Sequence, residues 1–469
     1  MNSNSAVKTE IVVIGAGSGG YVAAIRLAQL GKKVVLIEED KLGGVCLNYG
    51  CIPSKAMIYA SDFFYKIKKS STMGINTNKV IIDFKKMQEW RDGIVFKLNK
   101  GVEFLCKKNN VPIIKGTAFF ESSNRLKLIN EKNTSYIDFE KAIIAVGSKP
   151  TEVPNFKFDK KKIISSREIL YLNEIPKNLV VIGGGYIALE LGTVYAKLGS
   201  KVCIVEMMDQ ILPGFDKNVV GVLQKNLKKL GMNIYLNSKT DKIRDNKVII
   251  TSKEKGEVVL DADKVLIAVG RYPNTKNLGL ENTKVKLDDK GFINVDKSLR
   301  TNDKNIFAIG DVSTGPMLAH KASYQGKFIA EFIAGNGNIY ENVVVPTVIF
   351  TDPEIASVGL GEDESKDKGI KVKIGKFPFS ASSRAMTRIG TEGFVKIIAN
   401  GKGNKILGVQ IIGRDASDLI SEAALAIKMN ATLEDLASTI HPHPTLSESL
   451  MEAAEATMSK AIHILNSKL

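Results

Sequence analysis

Cysteine and histidine are scarce in this chain, four of each in 469 residues. So few cysteines cannot staple a disulfide scaffold, so the core must be held together by burial. Cys106 and Cys203 have no cysteine or histidine at ligand spacing, and Cys46 and Cys51 make at most half a metal site, so the spacing argues against a bound metal. No apolar run reaches the roughly 18 residues that a bilayer-spanning helix needs. Residues 1–9 contain neither an apolar h-region nor an Arg-rich amphipathic pattern. No leader and no membrane span are therefore expected, and a cytoplasmic location follows. Negative charge is also short: 66 Lys and Arg stand against 50 Asp and Glu, a net charge of +16. Such an excess can serve nucleic acid or an acidic partner. The lysines, however, fall in short clusters such as residues 160–162 and 228–229, without the interleaved aromatics of a base-stacking platform. A solvated lysine-rich surface accounts for them, and no nucleic-acid partner is expected.

What is present is ordinary in bulk and specific in detail. A composition of 44% hydrophobic and 25% charged residues belongs to a globular protein, and the length suggests two to four domains. The chain contains an internal echo. Residues 11–14 form an apolar run, Gly15-Ala16-Gly17-Ser18-Gly19-Gly20 follows, then a helix-like stretch to Leu30-Gly31, then a run ending at Glu38. Residues 179–182, Gly183-Gly184-Gly185, Leu198-Gly199 and a run ending at Glu206 repeat this without a gap. Continuous apolar runs fit parallel strands buried on both faces. Each copy thus reads as strand, glycine turn, helix and strand, and two copies imply two dinucleotide sites. Residues 141–147 and 264–270 echo one another as a later strand of each unit. Beyond about residue 345, alternating runs at 345–350, 393–398 and 406–412 and helical patterns at 416–429 and 447–464 predict a separate α+β domain with an antiparallel sheet.

A lone glycine-rich turn is weak evidence, but here strand, helix and acidic residue all stand in place. Gly15, Gly17 and Gly20 let backbone approach a pyrophosphate at a helix N-terminus, and Glu38 is positioned for a ribose. In the second copy Ala188 takes the third glycine position. Glu206 suits the free 2′-hydroxyl of NAD and repels the 2′-phosphate of NADP, and no arginine lies within residues 207–210 to bind that phosphate. Cys46 and Cys51 follow the first fingerprint closely, where two thiols can cycle between dithiol and disulfide; two inert cysteines are the plainer alternative. Near the end of the chain, His443 precedes Glu448 by five residues, a spacing that suits either a proton-transferring histidine held by a carboxylate or a surface turn. His441 and His463 read as structural, and Cys106 and Cys203 as packed and inert.

The string GGVCLNYGCIPSK, the two fingerprints, residues 306–312, Met317-Leu318-Ala319-His320-Lys321-Ala322 and HPHPTLSE together resemble the flavin-dependent pyridine nucleotide–disulfide oxidoreductases over essentially the whole chain. Within that family, the Leu-Ala-His-Lys string and the second histidine are particular to members that oxidise dihydrolipoamide. The resemblance implies an α/β fold with two Rossmann-like dinucleotide-binding domains, for FAD and NAD, and a C-terminal α+β dimerisation domain. It divides the chain into residues 1–150 (FAD, first segment), 151–275 (NAD), 276–345 (FAD and central, second segment) and 346–469 (interface).

It further implies that Cys46 exchanges with substrate and Cys51 lies against the flavin. His443, oriented by Glu448, would reach Cys46 from the other subunit of a homodimer, and Lys55 would pair with Glu190. FAD would be held by Gly15, Gly17, Gly20, Glu38, Lys55, Ala118, Asp311 and Ala319, and NAD by Gly183, Gly185, Tyr186, Ile187, Glu206, Gly270 and Arg271. The implied reaction is oxidation of dihydrolipoamide to lipoamide with reduction of NAD, as the E3 component beside the lipoyl domains and E2 core of a 2-oxo acid dehydrogenase complex. Ser18, Pro442 and Tyr272 depart from the usual pattern, and none of them removes a reacting group. A glutathione-reductase-like activity and a non-catalytic assembly subunit are the competing readings. Glu206 opposes the first if NADPH is the donor, and the intact Cys46, Cys51 and His443 oppose the second.

Overall fold

The structure is a computed structural model that describes residues 6–130, 133–154, 156–336, 340–341 and 343–466. Part of the leader reading, residues 1–5, lies outside them. The first glycine turn joins two strands of a seven-stranded sheet. Val7–Ile14 lies between Val34–Glu38 and Thr134–Ile144, both parallel to it, and Ile113–Lys115 extends the parallel side. Their apolar runs, residues 11–14 and 34–37, are buried throughout, as strands covered on both faces require. On the other side Arg125–Ile129 and Thr117–Ser122 add an antiparallel meander. Ile306–Ala308 returns from far along the chain to pair with Thr134–Ile144, so the first sheet is completed by a second segment.

That return is locked by helix packing. Ala319–Ala334 lies across Gly20–Gln29, close enough that a Cβ on Gly326 would sit 2.5 Å from the Gly19 carbonyl oxygen. Only glycine permits this approach. Arg26 and Glu331 bridge the same pair of helices at 2.5 Å.

The second glycine turn sits in a five-stranded sheet in which Asn178–Ile182, Lys201–Val205, Lys264–Ile267, Asn233–Tyr235 and Ile163–Ile164 are all parallel. An antiparallel meander, Ser238–Arg244, Lys247–Ser252 and Gly256–Asp261, flanks it. Ser148–Pro150 pairs with Arg271–Pro273, a two-stranded ribbon that ties the two nucleotide units together. The C-terminal unit has the expected antiparallel sheet, five strands in the order Thr347–Ile349, Glu354–Gly359, Ile406–Gly413, Phe394–Asn400, Val372–Pro378. Buried Lys396 of this sheet reaches Asp216 at 2.5 Å and Glu362 at 3.2 Å, joining it to the second nucleotide unit.

One expected helix is shorter than its pattern. Residues 447–464 suggest a single helix, but the helix spans Glu448–Thr457. Ser459 takes a left-handed φ of 58°, and Lys460 N–H turns back to the Glu455 carbonyl. Apolar residues continue beyond that point, so periodicity alone overshoots the stop. Among the described residues no helix is long and apolar enough to cross a membrane.

Candidate active site

The two glycine turns have the same construction. A Cβ on Gly15 would meet the Ala145 carbonyl oxygen at 2.5 Å, and one on Gly183 would meet Ala268 oxygen at 2.5 Å. Both glycines have positive φ, 97° and 108°. The acidic residues repeat as well. Glu38 accepts the N–H groups of Ala16 at 2.7 Å and Asp40 at 2.8 Å, and Glu206 accepts those of Gly184 at 2.5 Å and Met208 at 2.8 Å. Each carboxylate is therefore fixed before a ribose arrives. Neither following helix, Gly20–Gln29 nor Tyr186–Leu198, has a side-chain N-cap, which leaves free N–H groups and a positive helix end for a pyrophosphate. Nothing lies within 4 Å of a Cβ built on Gly185, and Gly17 meets only Gly44, at 4.0 Å. These are the open sides where a dinucleotide fits.

A cavity of about 790 Å³ runs from the first turn to the second nucleotide helix. Gly15, Gly17, Glu38, Lys55, Ala118, Asp311 and Ala319 line it, together with Cys46 and Cys51. Gly20 does not: a Cβ there would run into the Gly15 carbonyl oxygen, so it serves packing of the turn. Tyr186, Ile187 and Arg271 reach the cavity, whereas Gly183, Gly185, Glu206 and Gly270 lie beyond its lining at the second turn.

The cysteines stand on two abutting helices, Gly44–Tyr49 and Cys51–Lys68, broken at Gly50. Gly44 packs so closely on Gly17 that a Cβ would fall 2.6 Å from its Cα, which presses the cysteine helix onto the first fingerprint. Both thiols are free. The Cys51 thiol is pulled down to about 7 by a hydrogen bond from Cys46 and by the Lys55 ammonium, against the opposing effect of burial. Cys46, which gives that bond and is itself buried, is pushed up. Of the reduced pair, Cys51 is thus the thiol that ionises first. Lys55 Nζ lies 2.8 Å from Glu190 Oε2 and 4.4 Å from the centre of the Phe350 ring, and Glu190 Oε1 accepts the Phe350 N–H at 2.9 Å.

His443 is held by its carboxylate but stands away from the cysteines. Its Nδ1 lies 2.8 Å from Glu448 Oε1, and Glu448 Oε2 accepts the Thr445 N–H at 2.6 Å. The ring is 72% exposed and does not line the cavity. His441 is tied at both nitrogens, to Glu422 at 2.9 Å and to the Thr439 carbonyl at 2.8 Å, and is structural. His463 pairs with Glu452. Sequence reasoning missed Ser148. Its hydroxyl donates to Asp311 at 2.6 Å and accepts from Arg271 Nε at 2.8 Å, joining a residue of each nucleotide set. The echo between residues 141–147 and 264–270 is the only hint, since the ribbon follows directly on both. Among the described residues no three metal-ligating side chains cluster.

The family model described as pyridine nucleotide-disulphide oxidoreductase matches residues 9–326, and the dimerisation domain of that family matches residues 345–454. A dihydrolipoyl dehydrogenase of Geobacillus stearothermophilus is 50% identical over 463 residues, covering 98% of each chain. One of Bacillus subtilis is 48% identical over the same length and coverage. Among solved structures, LpdA from Mycobacterium tuberculosis superposes with a TM-score of 0.88 at 26% identity, over 95% of this chain and 99% of that one. The HOCl-induced flavoprotein disulfide reductase RclA from Escherichia coli gives 0.85 at 28% identity, with the same coverage.

Proposed function

The chain belongs to the pyridine nucleotide-disulphide oxidoreductases, and from that membership we propose that it oxidises dihydrolipoamide to lipoamide and reduces NAD. The observation that carries the proposal is the Cys46–Cys51 pair beside the first nucleotide turn, with Cys51 the more acidic thiol. The choice of dihydrolipoamide rests on the full-length relatives named dihydrolipoyl dehydrogenase. FAD and NAD are its cofactors. The uncapped helix ends, the open faces of Gly17 and Gly185 and the fixed carboxylates of Glu38 and Glu206 fit these two groups. Gly15, Gly17, Glu38, Lys55, Ala118, Asp311 and Ala319 hold FAD in this reading, with Gly20 packing the turn that presents them, and Gly183, Gly185, Tyr186, Ile187, Glu206, Gly270 and Arg271 hold NAD. Bound there, FAD supplies a two-electron acceptor between the dithiol and NAD.

The protein's own groups perform the thiol exchange. His443 takes the proton from one substrate thiol, because thiolate is the attacking form. That thiolate bonds to the Cys46 sulfur of the Cys46–Cys51 disulfide, the S–S bond breaks, and Cys51 leaves as thiolate. Cys51 is the better leaving group because its thiol is the more acidic, with Lys55 beside it. The second substrate thiol attacks the substrate's own sulfur in the mixed disulfide, closing the lipoyl ring, and its proton passes to the departing Cys46, which is freed as a thiol. The substrate loses two electrons and the cysteine pair gains them. Glu448 holds His443 through Nδ1 and leaves Nε2 for the proton. Since His443 stands outside the cavity of its own chain, a second copy supplies it, in a homodimer built on residues 345–454. The physiological carriers of the substrate are lipoyl domains on the E2 core of a 2-oxo acid dehydrogenase complex, drawing on the cytoplasmic NAD pool.

A substrate panel tests this. The flavin-loaded protein is assayed with dihydrolipoamide and glutathione, each with NAD and NADP, and with glutathione disulfide in reverse. Fast turnover is expected only for dihydrolipoamide with NAD. Comparable rates with glutathione, or no flavin binding after reconstitution, sink the proposal.

A further inference from the structure

The catalytic carboxylate has a twin one helical turn away. Helix Glu448–Thr457 carries Glu448 and, four residues on, Glu452, a spacing that sets both on one face. Each glutamate holds a histidine from outside the helix. Glu448 takes His443 at 2.8 Å, and Glu452 takes His463 Nδ1 at 2.5 Å. The second pair is the more deeply set at its carboxylate: Glu452 is 5% exposed, and its Oε2 is buried without a hydrogen-bond partner. A buried carboxylate in that state is costly unless a cation faces it.

We propose that His463 and Glu452 form a second histidine–carboxylate pair that sets the protonation range of the catalytic pair, His463 acting as a positioning residue through Glu452 and Glu448. This rests on the proposed role of His443. The imidazolium of His463 cancels the Glu452 charge, so that Glu448 alone acts on His443. Three glutamates of the helix, Glu452 foremost and then Glu455 and Glu448, raise the His463 pKa, which favours the imidazolium beside Glu452. The chain brings His463 there deliberately. Ser459 reverses the backbone after the helix, and Asn466 pins Ala461 through both its N–H, at 2.8 Å, and its carbonyl, at 3.1 Å.

The charged groups on elements packed against this helix are committed elsewhere. On the underlying strands, Lys396 engages Asp216 and Glu362, Lys373 engages Asn404, and Lys376 stands over the Phe394 ring. On helix Leu433–Ser438, Glu434 accepts from Asn404 and faces Lys460, and Asp435 accepts the N–H of the N-cap Thr432. His463 is therefore the cation that answers Glu452.

The test measures His443 directly as well as through turnover. With only four histidines in the chain, isotope-labelled histidine resolves each imidazole by NMR, and the His443 titration is followed alongside the acid limb of kcat/KM. His463→Gln leaves Glu452 uncompensated, so both are expected to move up by roughly half a pH unit, the effect of one charge one to two turns away in half-exposed surroundings. The double variant His463→Gln/Glu452→Gln is expected to restore both, and His463→Lys to leave both in place. An unmoved His443 in His463→Gln overturns the proposal. So does a shift that Glu452→Gln fails to reverse, which would mark a merely structural role. If dihydrolipoamide turnover is absent altogether, the proposed function fails while the NMR titration still decides the coupling.

Discussion

Lys55 Nζ and Glu190 Oε2 lie 2.8 Å apart, and this ion pair, together with Lys197–Asp62, joins the cysteine-bearing helix Cys51–Lys68 to the second nucleotide helix Tyr186–Leu198. Glu190 is nearly enclosed, and its second oxygen is held by the Phe350 N–H. The ammonium is therefore fixed where it acts on Cys51. Above about pH 7 the reduced Cys51 is thiolate, and it gains its proton as pH falls through that value. Lys55→Met is expected to raise that midpoint by about one pH unit, the scale of one nearby charge. Cys46→Ala removes the larger influence, the hydrogen bond from Cys46, and is expected to raise it further. The long-wavelength absorbance of a thiolate beside oxidised flavin reads both, titrated with pH in the two-electron-reduced holoenzyme for Lys55→Met and in the unreduced holoenzyme for Cys46→Ala, which has no disulfide to reduce. A midpoint that stays near 7 in both variants contradicts this account of Cys51.

The glycines of the two turns are predicted to fail differently. Gly20→Ala drives a methyl into the Gly15 carbonyl oxygen. It is expected to cost about 1–3 kcal/mol of stability and to lower the ratio of flavin to protein. At Gly185 the backbone is extended, with φ −76°, and a Cβ meets nothing within 4 Å. Gly185→Ala should keep flavin content and Tm, while the KM for NAD rises roughly tenfold, because the methyl occupies space the pyrophosphate needs. Loss of flavin from Gly185→Ala would overturn the assignment of the second turn to NAD.

These contrasts mark where the sequence is legible. A dinucleotide turn is a contiguous demand, strand, glycines, helix and acidic end within about thirty residues, so both copies are visible without a structure, and so is the cysteine pair. Features that need distant partners are not. Ser148 is an unremarkable serine until the Ser148–Pro150 strand meets Arg271–Pro273, and Lys396 is a lysine in a strand until Asp216 arrives. The meander over Ser238–Arg244, Lys247–Ser252 and Gly256–Asp261 leaves little trace in the sequence because one face meets solvent and its apolar signal is diluted. The position of His443 relative to Cys46 cannot be obtained from one chain by any local rule. Its pairing with Glu448 is local and was legible.

Glu206 offers a cofactor-selectivity test. Both its oxygens accept backbone N–H groups, of Gly184 and Met208, so the carboxylate is held in one orientation. Glu206→Gln keeps one acceptor oxygen and loses the charge. Charge-assisted hydrogen bonds contribute about 1.5–3 kcal/mol, so kcat/KM for NAD is expected to fall roughly 10- to 100-fold. The NADP rate should fall less or rise, because the repulsion of a 2′-phosphate is gone. Steady-state kinetics with both nucleotides decide it, and an unchanged NAD-to-NADP ratio refutes the role given to Glu206.

Acid stability should report the Lys396 cluster, which joins the C-terminal sheet to the second nucleotide unit. Burial opposes ionisation of Glu362, yet hydrogen bonds from Lys366 and Lys396 hold it down at about 2. Asp216 is likewise held below its ordinary value against burial, by Lys396 and by the N–H groups of Glu362 and Asp363. Both folded-state values lie below those of the unfolded chain. Their contribution is therefore complete above the ordinary carboxyl range, roughly pH 4, and is lost as pH falls from there towards 2. Lys396→Met leaves Asp216 buried without its cation and is expected to cost about 3–5 kcal/mol near neutral pH. Because that variant has already lost most of the linkage, its stability should fall less steeply between about pH 4.5 and 2 than that of the parent. Urea unfolding across that range measures both slopes. Parallel curves would mean that the cluster contributes no acid sensitivity, and that the joint between the two units rests on apolar packing instead.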